Sequence, residues 1–356
     1  MNKTIKKNLI LVGILAVVTA AGFAFTAITG GFKKQEVKED TFRIVTSFYP
    51  VHIAALNVTD GMEQVEVMNL TENVSGCLHD YQLTAADMKK LEYADVFVIN
   101  GAGMEVFLDS IKKAYPELSI IDTSEGISLL EAAEHDHSHD ANEESLYHIE
   151  EHVEEGEMPD EHLHEEISSN EFVHEGEHEE DEAHNHGEHN GHIWMNPDNY
   201  VIQIENMVHG LASLDKEHSR EYEENGHLYI EKVEQVAKEL EEVREGHEEE
   251  HIVIFHDSYA YLANKLHFHI VHQVVMEEDT SMSAGEIAEI VEEIKYHKVS
   301  VLLAEKQFSD QIPMRIAKET DTKVIVVDSL VSGEVEKDAY LNGMRENIRI
   351  LKEELN

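Results

Sequence analysis

Four potential metal ligands stand at the ends of predicted elements of structure. His256 directly follows the apolar run HIVIF, and Asp328 directly follows KVIVV. His79 lies between a predicted strand and a predicted helix, and His192 follows a long acidic stretch. Because ligands of open α/β sheets bind beyond the carboxyl ends of the strands, these three imidazoles and one carboxylate predict a tetrahedral N/N/N/O site suited to Zn²⁺. With 25 histidines in the chain, each one taken alone is more typical of a surface residue.

The charge balance restricts the possible partners. The 356 residues include 27 Lys+Arg and 74 Asp+Glu, which gives a formal net charge of −47. Such a chain repels phosphate backbones and attracts cations, so it excludes nucleic acid as a partner. The single cysteine, Cys77, excludes an intrachain disulfide and a Cys-rich zinc site.

Short β-branched runs alternate with helical patterns along both halves of the chain. The predicted strands cover 41–48, 65–70, 94–100 and 119–122 in the first half, and 251–255, 270–276, 299–304 and 323–327 in the second. Thr84 and Ser283 each begin a capping box that opens a helix. This alternation predicts an α/β fold of two lobes, each with a mostly parallel sheet flanked by helices.

A long rigid helix is predicted to join the two lobes. From Lys216 to Gly246, apolar residues recur at steps of three and four on a chain otherwise rich in Glu and Lys. We therefore expect an N-terminal lobe over 41–215, a linking helix over 216–248 and a C-terminal lobe over 249–356.

Residues 131–191 differ from the rest in composition. They contain 23 Asp+Glu, 12 His and no Lys or Arg. So polar a segment cannot bury enough apolar surface to fold, which predicts a disordered insertion in the N-terminal lobe. Its alternating carboxylates and imidazoles offer mixed ligand sets to a borderline metal ion. The alternative is an acidic loop that only solvates the surface.

Residues 1–34 are typical of a signal peptide or a membrane anchor. The 23 residues from Leu9 to Gly31 carry no charge and are followed by Lys33 and Lys34. This length is enough to span a bilayer, which favours an uncleaved tether over cleavage. We therefore expect the rest of the chain to lie outside the cytoplasm, at the cell surface or in the periplasm.

Five stretches resemble one known family in their order and spacing. They are TSFYPVH, GHIWMNPDNY, VIFHDSYAYLANKL and VLLAEKQFSDQIPMRIAKETDTKVIVVDSL, together with LHDYQLTAADMKK around His79. From Thr41 to Leu355 the chain resembles the solute-binding proteins of bacterial zinc and manganese ABC transporters, in the zinc branch. Many zinc members also carry a His- and acid-rich loop at the place of residues 131–191.

The resemblance implies a non-enzymatic receptor that binds Zn²⁺ and delivers it to a membrane permease, acting as a monomer. It implies His79, His192 and His256 as the imidazole ligands and Asp328 as the carboxylate. Manganese-binding relatives commonly have an acid at the third position. His256 favours zinc because imidazole is the softer ligand.

Three alternatives remain at this stage. Besides a zinc receptor, the sequence is compatible with a manganese receptor of the same family, with a zinc-dependent hydrolase, or with a surface zinc store that works through the insertion alone. Catalysis needs an open coordination position, and four protein ligands would close the shell, which argues against the hydrolase.

Several other residues depart from the family pattern or have two interpretations. Some zinc members have a glutamate where this chain has Leu78, so no ligand is assigned there. No cysteine directly follows the apolar run Leu9–Gly31 to carry a lipid. Glu305 is either an acceptor that orients a ligating imidazole or a surface glutamate. His267 and His269, predicted on one face of a strand, are either an auxiliary metal site or exposed histidines. Cys77 is interpreted as a packed small residue.

Overall fold

A computed structural model describes residues 41–72, 78, 81–132, 189–247, 249–274, 282–306 and 311–355. These residues form two four-stranded sheets in which every pairing is parallel. The first sheet has the order β2-β1-β3-β4 and the second β6-β5-β7-β8. The strands are β1 (Phe42–Thr46), β2 (Val65–Asn69), β3 (Val96–Ile99), β4 (Ser119–Asp122), β5 (His251–Ile254), β6 (His269–Gln273), β7 (Val301–Glu305) and β8 (Lys323–Val327). The predicted α/β fold with two parallel sheets is confirmed.

Nine helices flank the sheets among the described residues. They are α1 (Tyr49–Val58), α2 (Ala85–Glu92), α3 (Leu108–Ala114), α4 (Pro197–Leu214), α5 (Ser219–Arg244), α6 (Ala260–Leu266), α7 (Ala284–His297), α8 (Gln311–Thr320) and α9 (Ala339–Leu355). Thr84 and Ser283 form the two predicted capping boxes at the starts of α2 and α7. No helix in the described ranges is long and apolar enough to cross a membrane, and the Leu9–Gly31 run lies outside those ranges.

Helix α1 has no counterpart in the sequence prediction. Eight of its ten residues are buried, so the helix has no polar face. The sequence therefore shows no amphipathic pattern of helical period over these residues. Pro50 stands in its first turn, where the missing N–H leaves no hydrogen bond unmade. The helix packs against β1 and β2 on one side and against α4, α5 and α9 on the other.

The long helix α5 is shorter than predicted but buries the predicted stripe. It begins at Ser219, after α4 has ended at Leu214, and it ends at Arg244, so it has 26 residues. At about 1.5 Å per residue it spans roughly 39 Å. The stripe is at most 2% exposed and consists of Tyr222, Tyr229, Val233, Val236, Leu240 and Val243. Because α5 packs against α1 and α4 as well as α6 and α9, it contacts helices that flank both sheets.

The two sheets share one apolar core. A single buried cluster includes Ile44 of β1 and Ile254 of β5, and a smaller cluster fills the space between the second sheet and α7 and α8. Polar contacts cross the junction as well. The Trp194 indole N–H donates to the carbonyl of Ser329 at 2.8 Å, and the Tyr340 hydroxyl donates to the carbonyl of Trp194 at 2.8 Å. These contacts oppose a wide opening of one lobe from the other.

Candidate metal site

Three neighbouring strands of the second sheet carry ionisable side chains at their carboxyl ends. His256 follows β5, Glu305 ends β7 and Asp328 follows β8. The order of the sheet places β7 between β5 and β8. Because strands lie about 4.8 Å apart, Glu305 stands between the other two residues.

His256 is held on its Nδ1 side by its own loop and by β7. The Nδ1 atom lies 3.1 Å from the backbone nitrogen of Ser258 and 3.1 Å from Glu305 Oε2. His256 is 5% exposed and Glu305 is 3% exposed. Burial raises the pKa of Glu305 to about 7. Because the Ser258 N–H donates to Nδ1, the structure shows Glu305 as a buried carboxyl group beside the ring and not as a clear acceptor from it. The surface interpretation of Glu305 is wrong.

His192 reaches the same place from the other side of the cleft. It is completely buried and immediately precedes a short 3₁₀ helix, Ile193–Met195, which leads into α4. Asn190 fixes its ring. The Asn190 side-chain oxygen accepts from the His192 backbone N–H at 2.9 Å and lies 3.0 Å from His192 Nδ1, while the Asn190 amide nitrogen donates to the Asp257 carbonyl at 2.8 Å.

These contacts determine the tautomer of His192. Because the Asn190 amide nitrogen is committed to a carbonyl, the atom that faces Nδ1 is the oxygen, which can only accept. The Nδ1 atom therefore carries the proton, and the lone pair of the neutral ring is on Nε2. Sequence reasoning missed Asn190, which orients the His192 ring, although its place two residues before a candidate ligand was a signal.

A buried polar network in the first sheet supports the segment before His192. Glu105 accepts from the backbone N–H groups of Asn100 and Gly101, at 2.8 and 3.1 Å. The Asn100 amide in turn donates to the carbonyl of Gly191 at 2.9 Å and accepts from Gln203 at 3.0 Å. Burial raises the pKa of Glu105 to about 7. The chain beside His192 is thus fixed to the carboxyl end of β3.

The two imidazoles meet at Asp257. The rings of His192 and His256 lie edge to face with centroids 5.2 Å apart. Asp257 Oδ1 lies 3.4 Å from His192 Nδ1 and 3.3 Å from His256 Nδ1. These three residues form the one group among the described residues whose ligand atoms all lie within 4.8 Å of one another. Sequence reasoning missed Asp257, although it directly follows His256.

Asp328 lies at the same edge of the sheet but outside this trio. Its Oδ2 atom lies 3.0 Å from Lys306 Nζ, and its Oδ1 atom accepts from the Leu330 backbone N–H at 2.9 Å. Asn347 pairs with its backbone on both sides. Lys306 is largely exposed, so its ammonium group has room to move into solvent.

The other predicted features lie partly outside the described residues. His79 and Cys77 fall there, as does the insertion from 133 to 188. Where the chain is described again, His189 pairs with Glu131 in an isolated antiparallel bridge, and the Asn190 N–H donates to the Leu130 carbonyl at 2.9 Å. The two ends of the insertion are therefore held together, next to His192.

The predicted pairing of His267 and His269 on one strand face is wrong. His267 is the C-cap of α6 with a left-handed backbone, φ 59°, and its ring lies 3.2 Å from an Arg244 nitrogen. Only His269 belongs to β6. The left-handed cap ends the helix, so His267 lies outside the strand.

The chain is similar to known proteins over most of its length. Residues 44–354 match the model of the family described as zinc-uptake complex component A, periplasmic (ZnuA). The zinc-binding protein AdcA of Streptococcus pyogenes serotype M3 is 24% identical over 326 residues, which cover 90% of this chain and 57% of that protein. This chain thus spans little more than half the length of that relative.

Two further proteins have a similar sequence or fold. The high-affinity zinc uptake system protein ZnuA of Bacillus subtilis strain 168 is 24% identical over 347 residues, which cover 95% of this chain and 96% of that protein. The crystal structure of Zn(II)-bound AdcA from Streptococcus pneumoniae aligns with a TM-score of 0.64 and 21% identity, over 88% of this chain and 57% of that one. The structural match shows that the fold is shared.

Proposed function

The chain belongs to the family of zinc-uptake complex component A, and from this membership we propose that it is an extracytoplasmic zinc receptor. It captures Zn²⁺ between its two lobes and passes the ion to the permease of an ABC transporter. The observation that carries the proposal is the meeting of two buried imidazoles, His192 and His256, beside Asp257. Buried histidines beside a carboxylate, each ring held on one nitrogen, are the arrangement that a borderline cation requires.

The proposed ligands are His79, His192, His256 and Asp328. The His192 ring is held at Nδ1 by the Asn190 side-chain oxygen, so Nε2 is the atom that His192 offers to the metal. The His256 ring is held at Nδ1 by the Ser258 N–H and lies beside Glu305. Asp257 lies on the Nδ1 side of both rings. In this proposal it supplies negative charge to the site and no coordination bond.

The ligand chemistry favours zinc over manganese and transport over catalysis. Three imidazoles and one carboxylate suit zinc, whereas manganese prefers oxygen ligands. Four protein ligands leave no position for an activated water, so the site is a receptor site. The net charge of −47 attracts the cation and repels nucleic acid.

The fold supports release of the ion by a small movement. The shared core and the contacts of Trp194 with Ser329 and Tyr340 resist a wide hinge opening. Shifts of about 1 Å between His192 and the second sheet suffice to break a coordination shell with bonds of about 2 Å. We propose that docking on the permease produces this shift in a monomeric receptor. Its lobes would cover 41–215 and 249–356, the segment 216–248 that contains α5 would link them, and a membrane tether would lie within 1–34.

Competition with a chromophoric chelator tests the proposal on the full chain. His256→Ala is expected to weaken the tightest zinc site by about tenfold or more, because water replaces a lost imidazole poorly. The matched control is His227→Ala, which removes an exposed histidine of α5. Manganese at equal concentration is expected not to displace the ion.

Two outcomes would contradict the proposal. Unchanged zinc affinity in His256→Ala would show that the tight site does not include His256. The insertion, as in the zinc-store alternative, would then be the next candidate. Displacement of zinc by equimolar manganese would make the chain a manganese receptor.

A further inference from the structure

A second group of histidines lies at the opposite end of the second sheet from the cleft. His251 begins β5, His269 begins β6 and His297 ends α7. His251 and His269 are register partners on adjacent parallel strands, so their side chains point to the same face of the sheet. Their ring centroids are 5.0 Å apart. All of β5 separates this group from His256 at the other end.

The ring of His251 is already oriented as a metal ligand. Its Nδ1 atom lies 2.7 Å from the backbone carbonyl of His297. A carbonyl only accepts, so Nδ1 carries the proton and Nε2 keeps its lone pair. Metal-binding histidines commonly donate their second ring N–H to a backbone carbonyl in this way.

His297 and Glu293 provide a third donor beside this pair. The ring centroid of His297 lies 6.4 Å from that of His251, and its Nε2 atom lies 3.2 Å from Glu293 Oε2, one turn earlier on α7. Both residues are in the last turns of a 14-residue helix, where the helix dipole favours positive charge. A cation at this place therefore meets imidazoles, a carboxylate and the negative end of a helix.

The geometry is less complete than in the cleft. Among the described residues only the cleft trio has three ligand atoms within 4.8 Å of one another. His251 and His269 are placed as a pair, and His297 must turn its ring away from Glu293 to join them. This rearrangement, and the greater exposure of His269 to water, make the second site the weaker one.

We propose that His251, His269 and His297 form an auxiliary site for a divalent transition-metal ion of zinc-like softness. The inference is independent of the function proposed for the cleft, because it uses none of the same residues. It replaces the pairing of His267 with His269 that the sequence pattern had indicated.

The test is residue-specific histidine modification by diethyl pyrocarbonate, read by peptide mass spectrometry on the full chain. Free zinc is buffered from zero to about 100 µM, a range in which a site of two or three imidazoles is expected to fill. His251 and His269 are expected to react about tenfold more slowly at the same free zinc concentration, since a coordinated nitrogen has no lone pair left to react. His227, exposed on α5, is the internal control and should react at an unchanged rate.

Two variants show whether the histidines act together. His269→Gln should abolish the zinc protection of His251, and His251→Gln should abolish that of His269. His227→Gln is the matched control and should leave both protections intact. Circular dichroism before labelling confirms that each variant is folded, and because the protection is read in both directions, one poorly folded variant does not decide the result.

Other results would overturn the inference. A His269 reaction rate that is independent of zinc in the wild-type chain would do so. Protection of His269 that persists in folded His251→Gln would also do so, because it would show zinc bound at His269 without its partner.

Discussion

Replacing Asn190 by alanine tests how the site holds His192. The Asn190 side chain accepts from the His192 backbone N–H and ring Nδ1–H and donates to the Asp257 carbonyl, at 2.9, 3.0 and 2.8 Å. Asn190→Ala removes all three contacts and leaves the buried imidazole free to take either tautomer. We expect zinc affinity to fall by about 10- to 100-fold, the usual cost of losing a partner that orients a metal-binding histidine.

This range corresponds to about 1.4 to 2.7 kcal/mol of binding free energy at 25 °C. It is measured by competition with a chromophoric chelator at pH 7.5 on the full chain. Asn206→Ala is the matched control. The Asn206 amide also donates two hydrogen bonds, to the carbonyls of Thr123 and Glu125 at 2.9 and 2.8 Å, but these partners follow β4 and are not part of the metal site.

Asn190→Asp separates orientation of the ring from general packing. A carboxylate still accepts from Nδ1–H, so zinc affinity should lie closer to that of the wild type than in the alanine variant. Wild-type affinity in a folded Asn190→Ala protein would refute the assigned role, as would equal losses in Asn190→Ala and Asn206→Ala.

Three further predictions concern other parts of the chain. Glu305→Gln should weaken zinc binding about tenfold, because it replaces the carboxylate beside His256 Nδ1 by a neutral amide. In chelator, the variant should have a higher free energy of unfolding than the wild type above pH 7, because burial raises the pKa of Glu305 to about 7 and wild-type stability is lost as pH rises through that value. Burial lowers the pKa of His52 to about 4. Without metal, the free energy of unfolding of the wild type, measured in urea, should therefore fall by up to about 3 kcal/mol relative to His52→Asn as the pH falls from 6.5 to 4. Parallel pH curves for the two proteins would contradict this. We expect the insertion to bind additional zinc ions weakly, so replacing 133–188 by a short linker between the paired ends at Glu131 and His189 should remove this weak binding in calorimetry and keep the tight site. Loss of the tight site would show that the insertion supplies a ligand.

The strands and the residues that follow them were readable from the sequence because burial on both faces leaves continuous β-branched runs. HIVIF and KVIVV became β5 and β8, and His256 and Asp328 follow them as expected. The order of the strands was not readable, since it depends on long-range packing. That order places Glu305 between the two residues and leaves Asp328 beside Lys306.

The missed features depend on contacts distant in sequence. Helix α1 is buried on almost every side, so no amphipathic period marks it. Asn190 acquires its role only when its amide meets the Asp257 carbonyl, 67 residues away. His251 and His269 become neighbours only through the register of β5 with β6. Local sequence patterns do not predict these contacts.

X-ray absorption at the zinc K-edge, on the full chain loaded with one equivalent of zinc, identifies the ligands of the tight site. We expect a four-coordinate shell of nitrogen and oxygen at about 2.0 to 2.1 Å, with multiple scattering from three imidazoles. In His256→Ala the imidazole contribution should fall to two. A wild-type shell dominated by oxygen, or a spectrum that is the same in His256→Ala, would contradict a cleft site built on His192 and His256.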